Sequence, residues 1–254
     1  MLWYEKMLIF SIFLACHYLL QFEKCNFTVP NLNRGVVMVA VVQYSRSVVK
    51  EVDILMRKRK RNMRILILNA SPRKTGNISS MVSTMADEAR QNGAEIDIIN
   101  VNSLNVRPCI ACMKCRTEHK CVMPEDDAQR VLSMIRAADA MVIAAPCYWG
   151  NIPGTLKVLF DRIVYGMMDE NRYGIPIPLH KGKRVVLAST STTLWPFNII
   201  MHQTRGVIRA LREICHYSGF KVVATIEKGG TKADTSLSPR MEKRCRKAIR
   251  KLCR

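Results

Sequence analysis

The chain has 254 residues, 48% of them hydrophobic, which suits one or two globular domains. Its 40 Lys and Arg against 20 Asp and Glu give a net charge of +20, but residues 1–62 carry 10 against 4 and residues 238–254 carry 8 against 1. With over half of the excess at the two ends and no nucleic-acid-binding motif beside it, the charge does not mark a nucleic-acid partner. Ten cysteines, four of them crowded between Cys109 and Cys121, lack the even spread of a secreted disulfide scaffold and fit a reduced, cytoplasmic protein.

From Met7 to Leu20 the chain is apolar for about the length of a signal-peptide core and is short for a membrane span. Lys6 is offset by Glu5, and Phe13-Leu-Ala-Cys16 is a poor lipidation motif. The run Arg57-Lys-Arg-Lys-Arg61 suits a juxtamembrane segment or a solvated stretch. Residues 1–62 therefore read as an N-terminal extension, apolar then basic, either a misplaced start or a membrane anchor. The folded domain is expected over residues 63–254, with a Cys-rich insertion at 104–127.

Ile65-Leu-Ile-Leu68, ahead of Asn69, reads as a buried parallel strand. Ile78, Met81, Val82, Met85 and Ala86 mark one face of the helix that follows. The loop between them, Ser71-Pro-Arg-Lys-Thr-Gly-Asn-Ile-Ser-Ser80, is rich in hydroxyls and amides. A strand–loop–helix of this kind aims backbone N–H groups and the positive end of the helix dipole at one point, where a phosphate binds. The alternative is an ordinary strand–helix connection. No Gly-Lys-Ser/Thr and no G-x-G-x-x-G closes the loop.

The rest alternates. Strands are expected over Glu95–Val101, Ala140–Ala145, Arg184–Thr190 and Lys221–Ile226. Helices are expected over Ala128–Ala138, along the face Leu156, Leu159, Phe160, Ile163, Val164 and Met167, and along Val207, Ile208, Leu211, Ile214 and Cys215 up to Gly219. A last helix opens at Ser238-Pro239 and carries Met241, Cys245, Ile249 and Leu252. Five strands with helical crossovers imply an α/β protein with a doubly wound five-stranded parallel sheet. In the order 2-1-3-4-5 its ligand crevice lies beyond the C-terminal ends of strands one and three.

The loop at the end of strand three is Pro146-Cys147-Tyr148-Trp149-Gly150-Asn151-Ile-Pro153. Two aromatics there either face a flat ligand or cover a sheet edge. Strand four ends in hydroxyls, Ser189 to Thr193, with Ser191 and Thr192 reaching the same crevice; Trp195 and Phe197 beyond them fit a substrate wall, the core or a subunit interface equally. Cys109, Cys112, Cys115 and Cys121 follow C-x2-C-x2-C-x5-C spacing, which suits a cubane cluster better than a zinc ribbon. A loop of redox-active or packing cysteines is the equal alternative. His119, His180, His202 and His216 have no partners at metal-ligand spacing, and Asp161 and Arg162 read as members of ion pairs.

The Ser-Pro-Arg…Gly-Asn loop and the Pro-x-Tyr-Trp-Gly-Asn loop resemble those of the flavodoxin-like NAD(P)H-dependent FMN reductases and iron–sulfur flavoproteins, over about residues 63–228. The resemblance implies an FMN phosphate held by Ser71, Arg73, Thr75, Asn77, Ile78 and Ser79. It places the isoalloxazine ring on Pro146, Cys147, Tyr148, Trp149, Gly150 and Asn151, and the ribityl or dimethylbenzene side near Ser191 and Thr192. It implies a hydride taken from NAD(P)H as co-substrate and electrons passed to a flavin, a quinone or another small-molecule or protein acceptor. An FMN electron carrier without turnover of its own is the rival. A homodimer or homotetramer is expected, with a membrane contact only if residues 1–62 are a true anchor. Members of the family open near Met63-Arg-Ile-Leu-Ile-Leu, and Cys109, Cys112, Cys115 and Cys121 correspond to a [4Fe–4S] ligand set in some and to a cluster-free Pro-Cys…Asp-Asp segment in others.

Overall fold

Strand β1 (Arg64–Asn69) is apolar on both faces because both faces are covered: Ile65, Leu66, Ile67 and Leu68 are completely or almost completely buried. The computed structural model describes residues 62–232 and 236–254, so the expectations for residues 1–61 lie outside the described residues. After β1 come helix α1 (Asn77–Gln91), strand β2 (Glu95–Asn100), short helix α2 (Cys115–Glu118), helix α3 (Asp127–Ala137) and strand β3 (Ala140–Pro146). Helices α4 (Gly154–Arg162) and α5 (Val164–Met167) lead into a small antiparallel hairpin, β4 (Met168–Glu170) and β5 (Pro176–Pro178). Strand β6 (Arg184–Thr190), helices α6 (Phe197–Ile200) and α7 (Gln203–Ser218), strand β7 (Lys221–Lys228) and helix α8 (Pro239–Leu252) complete the order.

The main sheet runs β2-β1-β3-β6-β7 and every neighbouring pair is parallel. Counting only its own members, this is the expected 2-1-3-4-5 order. Alternate side chains leave each strand on opposite faces, which splits the core in two. Leu66, Leu68, Met141 and Ile143 pack with Val131, Leu132, Leu156, Leu159, Val207 and Leu211 on one face. Ile65, Ile67, Val142 and Val186 pack with Met81, Met85, Cys245, Ile249 and Leu252 on the other. Helices therefore lie on both sides of the sheet, as a doubly wound fold requires.

Local signals set the helix ends. Asp126 caps α3: its carboxylate accepts from Ala128 N at 2.9 Å, while Gln129 accepts from Asp126 N at 3.0 Å. Gly219 closes α7 at φ 86°, the left-handed cap expected there. Ser238 caps α8 ahead of Pro239, and Cys245, Ala248, Ile249 and Leu252 form its buried stripe.

Some boundaries differ from expectation. The stripe from Leu156 to Met167 is two helices, because Ile163 leaves helical geometry at φ −104°, ψ 11°. The second strand stops at Asn100, whose side chain accepts from Asn102 N and turns Val101–Ser103 into a 3-10 turn. Strand β7 continues to Lys228, and the β4–β5 hairpin and helices α2 and α6 are additions to the expected elements. No described helix is long and apolar enough to cross a membrane.

Candidate functional site

The strand register brings three loops to one edge. Asn69 at the end of β1 pairs with Ala144, and Pro146 at the end of β3 pairs with Thr190 at the end of β6. A cleft of about 810 Å³ opens there, within the usual range for small-molecule sites. Ser71, Arg73, Thr75, Asn77 and Ile78 line it on one side, Pro146, Cys147 and Tyr148 on a second, and Ser191 and Thr192 on a third. Ten of the expected residues thus share one cavity.

The loop after β1 is braced from within. Asn69 Oδ1 accepts from Ser71 N at 3.0 Å, Ser71 Oγ accepts from Arg73 N at 3.2 Å, and Ser79 Oγ donates to Arg73 O at 2.8 Å. Ser79 therefore ties the loop to the helix and lies outside the cleft lining. Helix α1 begins after Gly76 at φ 144°, a conformation that favours glycine, and no side chain caps its N-terminus. The uncapped first turn faces a cavity lined by hydroxyls and by Arg73. That arrangement is complementary to a phosphate dianion.

The loop after β3 makes a tight reversal. Tyr148 N donates to Asn151 O at 3.0 Å and Asn151 N to Tyr148 O at 2.9 Å, with Trp149 at φ 53° and Gly150 at φ 70°. Two positive φ values at the centre of a two-residue turn are the type I′ geometry. Tyr148 is therefore at the cleft wall, whereas Trp149, Gly150 and Asn151 are not among its lining residues. Trp149 stands at the tip with 103% relative exposure. Asn151 Oδ1 accepts from Ile152 N at 2.8 Å.

The third wall is strapped to β7. Ser191 N donates to Lys228 O at 3.0 Å, and Thr231 N and Oγ1 donate to Ser191 O at 3.1 and 3.0 Å. Cys147 Sγ lies 3.3 Å from Gln203 Oε1, and burial raises its thiol pKa. Thr231, Ser236 and Glu242 also line the cleft, although the sequence offers no periodic or motif signal for them. Trp195 and Phe197 are exposed at 77% and 58%, so they are not core residues.

The four cysteines line a separate cavity. Cys109, Cys112, Cys115 and Cys121 line a smaller cavity of about 120 Å³ with Ile110, Met113, Arg162 and Tyr165. All four are free thiols. Burial, then the neighbouring Cys109, Cys121 and Cys112, raises the Cys115 pKa, so the sulfurs sense one another. Ala111, Met113 and His119 sit at φ 53°, 60° and 51°, three non-glycine residues in left-handed geometry within one loop. Among the described residues no three ligating side chains converge on a single ion. Four cysteine thiols on one short segment are a donor set that could hold an iron–sulfur cluster.

Asp126 and Asp127 pin the start of this segment by accepting from Arg107 N at 3.2 Å and Asn105 N at 2.8 Å. Arg162 pins its end: the guanidinium donates to Asp126 Oδ2 at 2.9 Å and to Cys121 Sγ. Asp161 instead pairs with Lys157 inside α4. The two neighbours are thus one intrahelical pair and one helix–loop pair. His180 is buried, its Nε2 3.0 Å from Gly166 O and its ring stacked on Phe220. His119 lies 3.3 Å from the Asp169 carboxylate, and neither imidazole belongs to a group of three ligating side chains around one ion among the described residues.

Comparison with known proteins agrees with this arrangement. The family model of NADPH-dependent FMN reductases matches residues 63–227. An iron-sulfur flavoprotein of Methanosarcina thermophila is 39% identical over 102 residues, 40% of this chain and 53% of that protein. An FMN-dependent NADH:quinone oxidoreductase of Stenotrophomonas maltophilia is 33% identical over 131 residues, 50% of this chain and 66% of that protein. The chain spans about half the length of the first curated relatives it matches. Among solved structures, an FMN-dependent NADH-azoreductase from Bacillus anthracis in complex with FMN superposes with a TM-score of 0.58 at 19% identity, covering 76% of this chain and all of that one. At that identity the likeness establishes the flavodoxin-like fold.

Proposed function

We propose, from the premise that this chain belongs to the NADPH-dependent FMN reductase family, that it is an FMN-dependent oxidoreductase. In this reading it takes a hydride from NAD(P)H and passes electrons to a flavin, a quinone or a related acceptor. The observation that carries the reading is the single cleft joining the 71–78 loop, Pro146–Tyr148 and Ser191–Thr192 at the C-terminal edge of β1, β3 and β6. Residues 63–254 form the FMN-binding domain in this account, with 104–127 as its Cys-rich insertion.

The residues fit the cofactor. The open first turn of α1, with Ser71, Thr75 and Arg73 beside it, takes the phosphate. Tyr148 and the reversal behind it supply a flat wall and backbone polar groups for the ring edge. Ser191 and Thr192 bond the ribityl side. When bound, FMN supplies the hydride-accepting chemistry; the protein's part is to position it and keep competing water away from one face. Hydride transfer to a flavin requires no acid or base at the reacting atoms; the titratable side chains described in the cleft lining are Arg73, Cys147, Tyr148 and Glu242.

Two observations favour a further component, a [4Fe–4S] cluster on Cys109, Cys112, Cys115 and Cys121. The cavity they line also contains a buried cation, Arg162, whose Nε has no hydrogen-bond partner among the described residues, and several relatives of this chain are iron–sulfur flavoproteins by name. The apolar surface of Trp149, Leu194, Trp195, Phe197, Ile200 and Met201 is the proposed contact with a second copy. It adjoins the third cleft wall, so the partner would close the cavity, and light scattering at micromolar concentration tests for the dimer.

Purified protein tests the main reading. One FMN per chain with steady oxidation of NADPH or NADH in the presence of a quinone or free flavin supports it. Full FMN occupancy with no turnover of either nucleotide would leave the electron-carrier rival in its place.

A further inference from the structure

Among the largest fully buried side chains of the described residues, Arg162 is the one that carries a charge. Its side chain has 0% relative exposure, and removing a guanidinium from water costs several kcal/mol unless partners compensate. Asp126 supplies a carboxylate at 2.9 Å, but that carboxylate also accepts from Ala128 N and Arg107 N. The guanidinium then reaches Cys121 Sγ, and its Nε is buried with no hydrogen-bond partner among the described residues. A buried cation with one donor to sulfur and one donor unmet, in a cavity that the four thiols line together with Arg116, Asp161, Asp169 and Glu170, is matched to an anion seated on the thiols beside Cys121.

We propose that Arg162 is a positioning residue for the iron–sulfur cluster, holding a fixed positive charge on its Cys121 side and thereby raising its reduction potential. The inference rests on the iron–sulfur reading above. Reduction adds one electron and no proton, so the cluster and its thiolates become more negative by that electron. A cation held in place, donating to a ligand sulfur, favours that more negative state. The Arg162 side chain itself is fully buried, so its charge is screened less than that of the exposed Arg116 in the same lining. Arg162 cannot swing away, because it leaves the end of α4 between the buried Leu159 and Ile163 and is clamped by Asp126.

A purely structural Arg162 would change loop stability and leave the potential where it was. The double variant R162Q/D126N removes both charges of the pair without stranding either one, and R162K keeps the charge. Iron, acid-labile sulfide and FMN are counted after oxygen-free purification, and the cluster is then titrated with dithionite and followed by electron paramagnetic resonance. The expected result is a cluster in R162Q/D126N whose equilibrium is shifted at least about tenfold toward the oxidised form, about 59 mV for one electron, with R162K closer to the unaltered protein. Loss of the cluster from R162Q/D126N but not from R162K also supports the role of the charge. An unchanged midpoint in R162Q/D126N at full occupancy overturns the proposal while the iron–sulfur reading stands. Loss of the cluster from both variants with FMN retained assigns Arg162 to loop folding and overturns it too. Unaltered protein with full FMN and no iron overturns the reading and the inference together.

Discussion

Gly206 in α7 lies directly against the carbonyl of Gly150: a Cβ built on Gly206 would come 1.8 Å from Gly150 O. The helix after β6 thus carries the reversal after β3 on its first turns, and the 148–151 loop cannot close without that bare backbone. His202, at φ 55° just before α7, brings its own carbonyl to 3.8 Å from a Cβ built on Gly150. Gly206 is needed for the close approach, and Gly150 for its positive φ, the 3.8 Å contact being ordinary van der Waals distance.

Replacing Gly206 with Ala therefore reverses the usual helix rule. In an open helix the change would stabilise by about 1 kcal/mol. Here it is expected to destabilise by about 1–3 kcal/mol, the usual cost of overpacking, or to push the 148–151 turn off the cleft wall. Urea unfolding and FMN affinity measured on the same protein report both, and a Gly206→Ala protein with raised stability and unaltered FMN binding would refute the contact.

Thr75 is exposed, lines the cleft and precedes the start of α1. Thr75→Asp puts a negative charge near the positive end of that helix, which leaves stability level or raises it by a few tenths of a kcal/mol. The same charge opposes a bound phosphate, so FMN affinity is expected to fall at least about tenfold, or about 1.4 kcal/mol. Parallel losses of affinity and melting temperature would instead indicate damage to the loop.

Stability should decline on the acid side in two stages. Burial, with only Gly166 O opposing it, pushes the His180 imidazole from 6.5 down to about 4. The unfolded chain takes up that proton first, so the stabilisation is complete above pH 6.5 and is lost as pH falls toward 4, by about 2–3 kcal/mol. Below that, Glu88 is held low by the Arg250 bond. Asp126 is raised by burial but lowered more by Arg162, Ala128 and Arg107, for a net lowering. Both carboxylates give stability that is present above their unfolded values and lost as pH falls through their folded ones. Denaturant unfolding of His180→Gln between pH 7 and 4 should show a flatter profile than the unaltered protein; identical profiles would remove His180 from the account.

The strands were legible because parallel strands covered on both faces are short apolar runs, as in Ile65–Leu68 and Ala140–Ala145. The cleft followed from the sheet order, which sends the ends of β1 and β3 to the same edge. The β4–β5 hairpin was not legible: Pro176 and Pro178 occupy two of the three positions in β5 and remove the donors that a strand signal relies on. The break at Ile163 was masked because Ile163 and Met167 stay buried on both sides of it. Trp149 read as a ring-facing aromatic, but the two positive φ values aim the turn's tip at solvent. Arg162 left a trace that could have been used, a charge three residues after Leu159 and next to Ile163 on an otherwise apolar stripe.

Titration of FMN-free protein with FMN and, separately, with riboflavin tests the central claim most directly. The two ligands share the ring and the ribityl chain and differ in the phosphate, which this account assigns to the open N-terminus of α1 with Ser71, Arg73 and Thr75. FMN is expected to bind one per chain and at least about 100-fold more tightly than riboflavin, a difference of about 2.7 kcal/mol. Equal affinities for the two, or no FMN binding, would contradict it.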